Sequence, residues 1–473
     1  MRRVRSRRFA AAVTGLMFLA VVGIEAGAAQ AAVAAPAAPV YAVTATIPVG
    51  QQPASAAVNP QTGRVYVANR SDNTVSVVTT ADNAVTATVP VGGVPLSIAV
   101  NTVTNNAYVT TGTGGNGSHL GDLVVIDGAN AVSASRALQQ DGDGPHFGDA
   151  VNTRTNTVYV THFYGGTVSE ISAPTLTTTA VFAAGPIVIG VAVNELTNTL
   201  YVANLDNSTV TVINGVTHGV IATIPVGGRT GSIALDPSRH TAYVATAAST
   251  VAVIDTATNT VVATVPVGQI PGQIAVDPSA GVLYVPASGD NTVSVIDEAT
   301  NTVTATVAVG ASPSSVAVDP GTHTAYVTNN ASNTVSVIRT MASTPVITNL
   351  PTGAMVGGSF TATVDTTGDG TRSVSSSTPT VCTASGLTVT YVGAGSCTLT
   401  AAVASGVQYG AATGSPQSFQ LSMSPAATTP PPSTPVLAKT GINAGPLVLV
   451  ALALIAAGAG GVAIRRRAQP HRP

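Results

Sequence analysis

Between positions 119 and 162 the chain gathers His119, His146 and His162 with Asp122, Asp141, Asp143 and Asp149. Imidazole and carboxylate are the side chains that bind zinc and exchange protons near neutral pH. Their spacing follows no metal motif, and Asp141-Gly142-Asp143-Gly144 is too short for a calcium loop of the helix–loop–helix type. These groups read as loop residues, with no metal and no cofactor expected. No Ser/His/Asp or Cys/His arrangement for nucleophilic catalysis is recognisable. Cys382 and Cys397, the only cysteines, lie close together late in the chain. That suits one local disulfide made outside a reducing cytosol, since a zinc or redox pair would need a third ligand or a C-x-x-C.

What positions these groups is a repeat. Tyr66, Tyr108, Tyr159, Tyr201, Tyr243, Tyr284 and Tyr326 are spaced 42, 51, 42, 42, 41 and 42 residues apart. In the sixth unit four short Val-rich runs, Val261–Val267, Gly272–Val276, Val282–Val285 and Thr292–Ile296, are bounded by turn residues and read as strands. Asn or Asp follows the first run of every unit (Asn59, Asn101, Asn152, Asn194, Asp236, Asp277, Asp319), often with Pro behind it. This is type I turn chemistry, in which the Asx side chain accepts from the backbone two residues on. His240 and His323 fall at one equivalent turn position and read as exposed turn residues.

A period near 40 with four strands predicts an all-β, seven-bladed propeller over residues 41–341. The units are out of phase with the chain: the Tyr41–Val49 run has no inner strands before it, and the last unit lacks an outer strand. Pairing the N-terminal strand with the last blade would remove two exposed edges and close the ring. Blades two and three are irregular, through Thr110–Gly121 and Leu138–Gly148. The loops before each innermost strand should ring the channel mouth, where they present Gln51, Gln52, Arg229, Gln269 and Ser312, with Asp141, Asp143 and His146 from the irregular one. Gln52, Asp143, His146, Arg229 and Gln269 form the candidate ligand-binding set.

Tyr326-Val327-Thr328-Asn329, with Tyr66-Val67-Ala68-Asn69 and Tyr201-Val202-Ala203-Asn204 as variants, resembles the YVTN family of β-propeller repeats over about Tyr41–Ile338. The resemblance implies the propeller fold. For function it implies surface-layer proteins, adhesion modules and a few enzymes, including lactonases and lyases; the histidine-rich copper motif of related reductases is missing here.

After Ser343 the rhythm stops, and residues 344–423 carry about seven short runs, as in a small sandwich. Val381-Cys382-Thr383 and Ser396-Cys397-Thr398 resemble bacterial immunoglobulin-like repeats. Residues 1–31 read as a signal peptide: five arginines in the first eight residues, the apolar run Phe9–Ile24, then Ala-rich cleavage sites. Residues 424–436 are a Pro/Thr linker. Leu437-Ala438-Lys439-Thr440-Gly441, the apolar Gly445–Ile464 and Arg465-Arg466-Arg467 make up residues 437–473. Twenty apolar residues suffice for a transmembrane helix with the arginines on the cytoplasmic side. The order resembles a cell-wall sorting signal of the LAxTG variant. That resemblance implies sortase cleavage between Thr440 and Gly441, covalent transfer to peptidoglycan, and a membrane-bound state only before sorting.

Nine of the eighteen basic residues sit in the two terminal clusters, while nineteen of the twenty acids lie between Asp72 and Asp369. So acidic a body excludes nucleic acid as a partner. The expectation is a wall-anchored extracellular protein whose propeller binds or scaffolds, towards a protein or glycan. The alternative is an extracellular propeller enzyme with His146 and Arg229 at the channel mouth.

Overall fold

The computed structural model describes residues 39–112, 121–138 and 145–424, and every regular element among them is a β-strand. The signal-peptide region, His119, Asp141, Asp143, the sorting motif Leu437–Gly441 and the apolar span all lie outside the described residues. The described chain up to Met423 belongs to one compact unit.

Residues 40–341 form a propeller-like series of four-stranded antiparallel sheets, all but the last built from four consecutive strands. In the first, Pro53–Asn59, Arg64–Asn69, Thr74–Thr79 and Val85–Pro90 pair in order. The two middle strands are buried on both faces, which is why they read as continuous Val-rich runs; only the fourth strand alternates towards solvent. The tyrosine of each second strand anchors the stacking. Tyr66, fully buried, packs with Ile98, Ala107 and Val109 of the next sheet.

The fourth strands share a device. In each of these sheets the register slips by one residue against the third strand, and the extra residue is Thr44, Thr86, Ser133, Thr179 or Thr304 in five of them. Their hydroxyls donate to the carbonyls of Val337, Val77, Val125, Glu170 and Val295 at 3.1–3.4 Å. A bulge forfeits a ladder bond, and the Thr hydroxyl supplies a substitute. A T-A-T in three of these outer strands, S-A-S in one and T-A-V in another encode it.

The Asx turns also staple sheet to sheet. Asn59, Asn101 and Asn152 accept from the backbone two residues on, at 3.0–3.1 Å. Their amides donate to Asn105, Asn156 and Asn198 of the next sheet at 2.8–3.0 Å. Those acceptors sit at φ between 49° and 59°, a left-handed region that Asn tolerates. His323 (φ 51°) holds the corresponding place late in the series, its Nδ1 2.8 Å from Oδ2 of the buried Asp277. The expectation of an exposed turn residue is therefore corrected for His323: it is a staple between sheets.

The N-terminal strand Val40–Pro48 pairs antiparallel along Thr334–Met341, from Val40↔Met341 to Pro48↔Thr334, and completes the last sheet of the series. That sheet meets the first one: Ser314 Oγ donates to the Pro53 carbonyl at 3.0 Å, and the Gln52 amide donates to Asn333 Oδ1 at 2.9 Å. Innermost strands thus touch in sequence order and last touches first.

Residues 346–422 add shorter strands around a separate core of Ile347, Val374, Val389, Leu399, Phe419 and the Cys382–Cys397 disulfide. This part is tied to the series. Thr334–Met341 runs beyond its neighbour, and Tyr409–Gly410 pairs parallel with Thr340 and Met341. Arg339 Nη2 donates to the Gly406 carbonyl at 2.8 Å. Replacing both cysteines by alanine is expected to cost about 3 kcal/mol, the chain-entropy value for a loop this short. Urea unfolding of the full-length protein with and without reductant checks this; identical transitions would remove the bridge from the account.

Candidate functional site

The innermost strands line a central cavity of about 430 Å³. Their pairing registers put equivalent residues of each sheet at one level, so the lining is best described level by level. Nearest the mouth, the first four sheets present Ala54, Leu96, Phe147 and Ile189, whereas the remaining three present Gly231, Gly272 and Ser314. One wall is apolar. The other exposes backbone and, one residue on, Ser232 and Gln273. A side chain could not replace Gly272, since a Cβ there would come within 2.2 Å of the Ser314 carbonyl oxygen.

The deeper level is apolar in six sheets: Ala56, Ile98, Val191, Ile233, Ile274 and Val316. In the third sheet it is Asp149. Ser97 Oγ donates to Asp149 Oδ1 in a short hydrogen bond, while Oδ2 is buried with no hydrogen-bond partner. Burial pushes this carboxyl up to about 7, with Ser97 opposing the shift. Arg70, from the hairpin after the second strand of the first sheet, is the other charged lining residue. Asn330 holds the equivalent place in the last sheet.

The aromatic residues of the series concentrate on the third sheet. Phe147 lines the cavity and meets Phe163 edge-on at 5.2 Å, and Phe163 meets Tyr164 edge-on at 5.0 Å. Behind them His146 and His162 pack edge to face at 4.8 Å. His146 Nδ1 lies 3.4 Å from the Thr161 carbonyl oxygen and His162 Nε2 lies 2.6 Å from Ser169 Oγ.

Of the residues expected at the channel mouth, His146 is buried rather than presented to solvent, because its loop turns the ring inward beside His162. Gln52, Arg229 and Gln269 are exposed on loops and are not among the residues lining the cavity. Those loops are fastened to the neighbouring hairpins. Asp72 accepts from the Gln51 amide at 2.6 Å, Asp290 from the Gln269 amide at 2.7 Å, and Arg229 Nη2 stands 3.3 Å from Asp206 Oδ1. Arg229 and His146 do not meet. The residues that sequence reading passed over are Asp149, Arg70 and Phe147. Stacking the innermost strands of the units in register would have exposed Asp149 as the one acid in an apolar column.

A buried acid lies at a different seam. Glu298 stands 3.1 Å from Arg239 Nε, which also faces Asp236 at 3.4 Å. Burial, then the neighbouring Asp236 charge, raises its carboxyl to about 7. Among the described residues no group of three or more His, Cys, Asp or Glu side chains is placed to hold a metal ion.

No protein-family model matches the chain, and no curated protein is similar to it.

Proposed function

We propose that this chain is a cell-wall-anchored extracellular binding protein, a seven-bladed propeller of the YVTN type followed by an immunoglobulin-like domain. Its signal peptide directs export. A sortase cleaves at Leu437–Gly441 and joins Thr440 to peptidoglycan, leaving the propeller outside a Gram-positive, actinobacterial type of cell. The repeat of four-stranded sheets and the Cys382–Cys397 bridge support this reading. So does the order of motif, twenty-residue apolar span and arginine cluster at the C-terminal end.

The observation that carries the binding role is the cavity among the innermost strands, whose mostly apolar lining carries a few placed polar groups, Arg70, Asp149, Ser232 and Gln273 among them. Ligand sites combine a mostly apolar surface with a few placed polar groups, and they favour rigid scaffolds. A protein or glycan remains the class of ligand.

Wall anchoring is tested by digesting intact cell walls with muramidase. The protein should appear in the soluble fraction carrying covalent wall fragments, and Thr440→Ala should abolish that fraction. Release by detergent alone would replace the wall anchor with a membrane one.

A further inference from the structure

Resting on that binding role, we propose that the central cavity takes an acidic saccharide, its ring face against Phe147 and its carboxylate at Arg70. The lining mixes apolar side chains with polar groups and bare backbone, and each kind excludes a class of ligand. A purely aliphatic molecule would leave Ser232, Gln273 and the backbone around Gly231 and Gly272 facing it unpaired. An open-chain polyol would leave Leu96, Phe147 and Ile189 wet. A pyranose satisfies both, with an apolar C–H face and a hydroxyl-bearing rim.

Phe147 is built to receive such a face. Its equivalents elsewhere are Ala54, Leu96, Ile189, Gly231, Gly272 and Ser314, so no other sheet offers a ring at this level. Phe163 props it from one side and Tyr164 props Phe163. A braced side chain loses little freedom on binding.

Charge narrows the saccharide to an acidic one. Among the described residues Arg70 is the only basic one in the lining, and its guanidinium makes no ion pair with any of them. Asp149 faces Ser97 from the second sheet, which does not titrate. Of the other titratable groups beside it, His146 just before the strand and His162 on its partner strand meet each other, and Tyr159 on that partner strand donates its hydroxyl to Asn198 Oδ1. Because burial holds Asp149 near 7, the described lining is cationic in mildly acid solution and neutral above that. An anion should therefore bind better as pH falls, down to the ligand's own carboxyl pKa.

The test is calorimetric titration of the full-length protein in detergent with glucuronate, glucose and benzoate. At pH 6 glucuronate should bind at least tenfold more tightly than either control. Arg70→Gln should bring glucuronate down to the glucose level without changing glucose. Phe147→Ile, which copies Ile189 and so keeps the fold, should weaken both sugars. Raising the pH from 6 to 8 should weaken glucuronate severalfold, and Asp149→Asn should remove that dependence. Benzoate matching glucuronate, or Arg70→Gln leaving glucuronate unchanged, would overturn the saccharide assignment. A thermal-shift panel of small molecules separates the two levels of failure. A different compound that raises Tm only while Phe147 is present refutes the saccharide and keeps the binding cavity. No stabilising compound at all refutes both.

Discussion

Full-length protein lacking Tyr41–Gly50 should fail to fold, or melt tens of degrees below the parent. The strand Val40–Pro48 pairs along its whole length with Thr334–Met341 and buries Ile47 against Val65, Val67 and Val335. Tyr41 meets the Tyr284 ring edge-on at 6.2 Å. Truncating one buried Ile to Ala costs roughly 2–5 kcal/mol, and a whole domain is stable by only about 5–15 kcal/mol. Losing the strand also strips the partner from one edge of Thr334–Met341 and loosens the seam between last and first sheets. Ile47→Ala is the graded version, with an expected loss of about 3 kcal/mol. Circular dichroism melts and limited proteolysis read both variants, and a synthetic 40–50 peptide added in trans should partly restore the deletion. A truncated chain melting with the parent would show that closure contributes nothing.

Asp149→Val should stabilise the protein at pH 8 and do little at pH 4. The folded carboxyl sits near 7, above its ordinary value of 3.8, so the folded state favours the protonated form. Stability is then full below about 4, falls as pH rises towards 7, and levels off beyond. A shift of this size corresponds to about 4 kcal/mol at most. Valine restores the column formed by Ala56, Ile98, Val191, Ile233, Ile274 and Val316 and removes that loss. Glu298, raised from 4.5 to about 7, adds a second decline of the same sign. Other carboxyls act in the opposite direction, Asp297 being lowered by its Thr300 hydrogen bonds. The difference between parent and Asp149→Asn isolates the one site. Urea midpoints at pH 4, 6 and 8 would show that difference growing with pH; a flat difference, or a valine variant less stable at pH 8, would refute the assignment.

The strands and their grouping were legible because two local signals agree at every unit: Val-rich runs of fixed length, and Asx turns between them. The pairing of Val40–Pro48 with Thr334–Met341 followed from counting runs, since one unpaired run stood at each end. The disulfide followed from having two nearby cysteines and no other. The lining was harder to read. Loops drew the eye to Gln52, Arg229 and Gln269, yet in a stacked array the innermost strands themselves form the wall. Asp149 sits inside the strand Asp149–Asn152, and single-unit reading sees only an ordinary start to it. His146 looked exposed because its loop is polar, but the ring turns in towards His162. His323 looked like turn decoration, and its meaning depends on Asp277, 46 residues away. Contacts between units are invisible within one unit.

The one-residue slip in each outermost strand has a bearing on life in a crowd. Molecules fixed side by side at high density present their peripheral strands to one another for as long as they stay there. A flat rim with a regular row of amides and carbonyls would let neighbours zip together into continuous sheet. The bulge skews that row, and in five sheets the hydroxyl of Thr44, Thr86, Ser133, Thr179 or Thr304 holds the skew in place by bonding a carbonyl of the third strand. On the proposed wall anchoring, dense display and mutual indifference are thereby compatible in the same fold.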